Sequence, residues 1–127
     1  MSEHKVLLDT NVVGMYLNKS SFAIKILKPD VAVSISVIIQ LKFLSNPELT
    51  LKNRFVFEEF LELIEVFPVE KENAELINHI VAIRKKYNLK LPDAIIAATP
   101  MVNNATLISA DAAFSKIYNL KFQLIKA

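Results

Sequence analysis

Lys5-Val6-Leu7-Leu8-Asp9-Thr10-Asn11 lies near the start of this 127-residue chain and passes from three apolar residues directly into three polar ones. A short apolar run without alternation is the pattern of a strand buried on both faces. Asp-Thr-Asn then stops the strand and offers a side-chain cap to a following helix, read here as Val12–Asn18. A doubly buried strand needs helices on both sides of its sheet. This one stretch therefore already points to an α/β architecture.

The rest of the chain repeats the theme. Val31–Ser36 is short and β-branched and reads as a second strand, with Ser36 capping a helix over Val37–Leu44. A further short helix is expected at Phe22–Leu27. Phe55–Ile64 carries apolar residues at helical spacing with glutamates opposite, and the stripe Phe55, Phe57, Phe60 and Leu61 is expected in the core, any exposed part of it being a surface for a partner helix or a second copy of the chain. Val66–Val69 reads as a third strand, weakened by Pro68. Glu72–Tyr87 is an amphipathic helix with Leu76, Ile77, Ile80, Ile83 and Tyr87 on one side and Asn88 as its C-cap. Leu91-Pro92-Asp93 opens the next helix, because proline is favoured in a first turn. That helix is expected to run to about Asn104, with a kink at Pro100. Thr106–Ser109 is a fourth strand, Asp111 starts a short helix to about Tyr118, and Phe122–Ile125 is a last strand. Strands alternating with helices in this way predict a single α/β domain over residues 1–127, with a mainly parallel sheet and helices on both faces.

Composition removes many chemistries. The chain has no cysteine, so disulfides, thiolate metal sites and cysteine nucleophiles are excluded. With only His4 and His79, a three-histidine zinc site cannot form. Gly14 is the single glycine, so neither a Walker A loop nor a dinucleotide fingerprint is available. The same lack leaves no glycine-framed nucleophile turn for a Ser-His-Asp triad. His79 is read as a surface residue of its helix and a general base only by default. What remains is chemistry on carboxylates, hydroxyls, amides and basic side chains.

The net charge of +2 hides a split. Residues 58–75 hold seven glutamates against Lys71, whereas residues 76–127 hold seven basic residues against Asp93 and Asp111. Arg84, Lys85, Lys86 and Lys90 concentrate the positive charge just before Asp93. They suit a helix C-terminus, and equally a phosphate backbone. No apolar stretch is long enough for a membrane helix, and the N-terminal run is too brief for a signal peptide. The expected location is cytoplasmic, with no membrane partner.

Three aspartates stand apart from the other acids. Asp9 and Asp111 follow predicted strands, and Asp93 lies in the first turn of an apolar helix. In open α/β sheets, ligands bind beyond the carboxyl ends of the strands, where all three are expected to meet. Converging carboxylates repel each other, and a hard divalent cation, Mg²⁺ or Mn²⁺, relieves that repulsion. Such an ion activates water for attack on a phosphodiester. Each aspartate also has a structural alternative: Asp9 and Asp111 as helix caps, and Asp93 as an offset to the helix dipole.

Leu7-Leu8-Asp9-Thr10-Asn11-Val12-Val13, Leu91-Pro92-Asp93-Ala94-Ile95-Ile96-Ala97-Ala98-Thr99 and Leu107-Ile108-Ser109-Ala110-Asp111-Ala112-Ala113-Phe114 together resemble the three signature segments of PIN-domain proteins. More narrowly, they resemble the VapC-type toxins of VapBC toxin–antitoxin modules. The resemblance covers nearly the whole chain, in order and at appropriate spacing. It implies a three-layer fold with a parallel sheet of about five strands. It also implies a Mg²⁺- or Mn²⁺-dependent endoribonuclease, usually dimeric, that cleaves RNA and is held inactive by a cognate antitoxin. On that pattern Asp9, Asp93 and Asp111 are the metal-site carboxylates, and Thr10, Asn11 and Ser109 support them by hydrogen bonds.

Two positions depart from the pattern. Gln40 stands where the family usually has a glutamate, in a segment similar to Ser36–Leu44, and it is carried into the site as a neutral amide. Ala113 replaces a further acid that many members hold. A cation site loses affinity as ligand charge is removed. The alternative function is therefore a catalytically impaired PIN domain that binds RNA or its antitoxin.

Overall fold

The computed structural model describes residues 4–18 and 30–126. The helix expected at Phe22–Leu27 lies outside those residues. The described elements are β1 (His4–Leu8), α1 (Thr10–Leu17), β2 (Val31–Ser36), α2 (Val37–Leu44), α3 (Leu51–Leu61), β3 (Glu65–Phe67), α4 (Ala74–Tyr87), α5 (Leu91–Val102), β4 (Thr106–Ser109), a 3-10 helix (Ala112–Lys116) and β5 (Phe122–Leu124).

All five strands pair in parallel, in the order β3-β2-β1-β4-β5. β1 is central, and Val6, Leu7 and Leu8 are buried in succession, as a strand covered on both faces requires. Its neighbour β4 buries Leu107 and Ile108 completely. The register places Leu7 beside Leu107 and Leu8 beside Ile108. Both edges are blunted by strands of only three residues, which limits pairing with other chains.

The helices follow from local signals. Asp9, Ser36, Thr50 and Asn73 each cap a helix N-terminus through a side-chain oxygen. Asn88 ends α4 in the left-handed conformation at φ 53°, which asparagine tolerates better than most residues. α5 has no side-chain cap and begins with Pro92 in its first turn. It runs uninterrupted through Pro100, which lies close to its end at Val102.

Some boundaries shift from expectation. α3 begins at Leu51 rather than at Phe55, because Thr50 caps an exposed first turn that carries no apolar stripe. The expected helix after Asp111 is a single 3-10 segment. An aromatic cluster joins three helices. Phe57 of α3 is fully buried and stacks on Phe43 of α2 at 4.2 Å, and Phe60 meets Tyr16 of α1 at 5.0 Å. Phe55 is 64% exposed and lies outside this cluster.

Candidate functional site

The strand order defines where a ligand belongs. The chain builds outward from β1 to β2 and β3, then crosses to the other side of β1 for β4 and β5. The crevice at the carboxyl ends of β1 and β4 is the point where that order reverses. Asp9 leaves β1 at this crevice and Asp111 leaves β4 at the same place.

Ser109, the last residue of β4, joins them. Its hydroxyl donates to Asp9 Oδ2 at 2.6 Å and accepts from the Asp111 backbone N–H at 3.0 Å. Asp9 Oδ1 accepts from the Thr10 N–H at 2.7 Å. Asp9 is 6% exposed and Ser109 is fully buried, so this pair is desolvated and held in one geometry. Asn11 ties the two loops a second time: its Oδ1 accepts from the Ala110 N–H at 3.1 Å. Asp111 itself is exposed, and its Oδ1 caps the 3-10 helix by accepting from the Ala113 N–H at 2.9 Å. Asp9 and Asp111 thus act as helix caps while standing at the crevice. The two readings of these residues are compatible.

Asp93 reaches the same edge by topology. α5 leads directly into β4, whose first residue lies at the amino edge of the sheet. A helix that returns the chain to that edge starts at the opposite one, which places the first turn of α5 on the carboxyl side. Asp93 is half-buried there. Gln40 lies in α2, which starts where β2 ends, also on the carboxyl side, and it is half-buried. Among the described residues no hydrogen bond joins Gln40 to an aspartate.

The donor set consists of carboxylate, hydroxyl and amide oxygens, which suits a hard cation. Thr10 adds an observation of the same kind. Its hydroxyl oxygen is buried and finds no hydrogen-bond partner among the described residues, one position from Asp9. A buried hydroxyl in that state has unused capacity for a water or ligand. The geometry is less complete than the chemistry. Among the described residues, no three acidic or histidine side chains stand close enough together to hold one ion. Asp9 turns its oxygens to Thr10 and Ser109, and Asp111 turns one to its own helix.

Arg84, Lys85 and Lys86 occupy the last turn of α4, and with Lys90 they are exposed. His79 lies earlier on α4, with Nδ1 2.9 Å from the Glu75 carbonyl oxygen, and takes no part in the crevice network. One contact has no signature in the sequence. The Tyr118 N–H donates to the Tyr87 hydroxyl at 2.9 Å, across 31 residues.

The described residues contain no helix long and apolar enough to cross a membrane. The PIN domain family model matches residues 6–120. No curated protein sequence matches the chain. Solved structures do. A chain of VapBC2 from Rickettsia felis, crystallised with a DNA fragment from its promoter, is similar with a TM-score of 0.79 and 21% identity, covering 96% of this chain and 99% of that one. A toxin–antitoxin complex from Klebsiella pneumoniae gives 0.71 and 24%, with 91% and 94% covered. DNA-bound VapBC from Salmonella typhimurium gives 0.73 and 18%, with 94% and 97% covered.

Proposed function

The chain belongs to the PIN-domain family, and from that premise we propose that it is a metal-dependent endoribonuclease of the VapC type, the toxin of a toxin–antitoxin pair. The observation that carries this reading is the network Asp9–Ser109–Asp111 at the point where the strand order reverses. In this reading Asp9, Asp93 and Asp111 hold Mg²⁺ or Mn²⁺. The substrate is RNA, the protein acts in the cytoplasm, and the antitoxin partner follows the complexes that the fold resembles.

The residues divide the work. Asp9 is the fixed member, since Ser109 and the Thr10 N–H hold both its oxygens in place. Each carboxylate oxygen retains a second lone pair for an ion. Asp93 and Asp111 are the adjustable members. Both reach solvent and would turn an oxygen to an ion held beside Asp9. Asn11 keeps the β1 and β4 loops at a constant separation. Arg84, Lys85, Lys86 and Lys90 attract and orient the phosphate backbone. When bound, the ion supplies a nucleophilic water at neutral pH and offsets charge on the scissile phosphate.

Gln40 and Ala113 favour a second reading, a PIN domain that binds RNA or its antitoxin with reduced or no cleavage. Cleavage of RNA with Mg²⁺, Mn²⁺ or chelator, by the native chain, Asp9→Asn and Gln40→Glu, separates the two. The nuclease reading expects metal-dependent cleavage by the native chain that is lost in Asp9→Asn. Cleavage by Gln40→Glu alone would establish the binding-module reading. Metal-independent cleavage that survives Asp9→Asn would overturn both.

A further inference from the structure

Asp93 and Asp111 stand on two chain segments that a single tyrosine contact fastens together. Tyr87 is the last residue of α4, six positions before Asp93. Tyr118 follows the 3-10 helix that Asp111 caps, seven positions after it. The Tyr87 hydroxyl accepts from the Tyr118 N–H at 2.9 Å. Asn119 then turns the chain with φ 65°, and buried Ile117 anchors the preceding position at 4% exposure. The backbone at Tyr118 is therefore fixed on both sides, yet its side chain is 73% exposed. Two basic residues belong to the same pair of segments. The Lys86 ammonium stands 5.4 Å from the centre of the Tyr87 ring, and Lys116 is exposed two residues before Tyr118. The glutamates of 58–75 lie in α3, in β3, in the connections around them and at the start of α4, the end opposite Tyr87, and the nearest acid in the chain to Tyr118 is Asp111.

A large aromatic ring left in water adds little to the packing of the core and is open to contact from outside. A solvent-facing aromatic among cations is the arrangement that unpaired nucleotides use, with the ring stacking on a base and the cations meeting phosphates.

We propose that Tyr118, with Tyr87 and Lys86, forms a stacking platform for an unpaired base of the RNA, one short helix away from the cleavage site. This rests on the nuclease reading above and adds to it a base-contacting residue outside the aspartate crevice. Tyr118 is a specificity and binding residue here, and Tyr87 positions it.

The test is direct binding in chelator, where cleavage is silent, with fluorescently labelled oligouridylate and an abasic ribose–phosphate chain of equal length. The native chain should bind the base-bearing strand more tightly. Tyr118→Ala should weaken that binding on the order of tenfold and leave the abasic strand unchanged, while Tyr118→Phe keeps the preference. Tyr118→Ala should also keep the native thermal midpoint, since the side chain is exposed. Equal loss for both strands would overturn stacking. Unchanged binding of both would also overturn it and leave Tyr118 to a protein partner. Failure of the native chain to bind either strand, or intact binding with no base preference, would overturn the platform, while the nuclease reading is decided separately by the metal-dependent cleavage assay above.

Discussion

Ser109 serves two aspartates with one hydroxyl, donating to the first and accepting from the backbone of the second. Removing it leaves Asp9 Oδ2 buried with one partner fewer. Ser109→Ala should cost about 1–3 kcal/mol, read by denaturant unfolding, because a desolvated carboxylate oxygen loses a short hydrogen bond. The sequence shows Ser109 next to Asp111, but the bond to Asp9 spans 100 positions and becomes visible only when β1 and β4 pair. Gln40 is the other decisive single residue. A glutamate there adds a negative charge on the side of the sheet that carries Asp9 and Asp111. Gln40→Glu is expected to lower stability without metal, raise affinity for Mg²⁺ or Mn²⁺, and raise cleavage. Denaturation in chelator and a metal titration measure the first two separately. Unchanged metal affinity would place Gln40 outside the site.

At the scale of elements, α3 shows what periodicity carries and what it omits. Phe57 and Phe60 are three positions apart and share a buried face, whereas Phe55 precedes Phe57 by two positions and points elsewhere. A stripe drawn through all three phenylalanines therefore mixes core with surface. Phe57→Ala should cost about 3–5 kcal/mol through the cavity opened beside Phe43. Phe55→Ala should change stability by less than about 0.5 kcal/mol. Equal costs at the two positions would contradict the packing described. Elsewhere the local signals were strong. β2, α2 and β4 have the bounds that β-branched runs and the Ser36 cap predict, and Asn88 ends α4 as a left-handed cap. Where the signal was weak, at the exposed start of α3 and after Asp111, the helix bounds or type differed. A turn held by one side-chain cap leaves no apolar periodicity to read.

Across the whole molecule, the parallel sheet follows from strands too apolar to face water, and the site follows from where the strand order reverses. The expected approach of Asp9, Asp93 and Asp111 to within reach of one ion is not found among the described residues. The sheet itself was legible in the sequence, as was the placement of Asp9 and Asp111 at its carboxyl edge. The orientation of their oxygens was not, because each is set by the backbone N–H groups and hydroxyl that the fold brings to it. A cation that binds only the folded chain must also stabilise it. Millimolar Mg²⁺ or Mn²⁺ should therefore raise the thermal midpoint of the native chain and leave that of Asp9→Asn unmoved. The claim that Asp9, Asp93 and Asp111 share one ion is tested most directly by calorimetric titration of Mn²⁺ into the native chain and into Asp9→Asn, Asp93→Asn and Asp111→Asn. Saturable binding by the native chain, weakened at least about tenfold in each variant, is the expected result. Native affinity in any one of the three folded variants would contradict it.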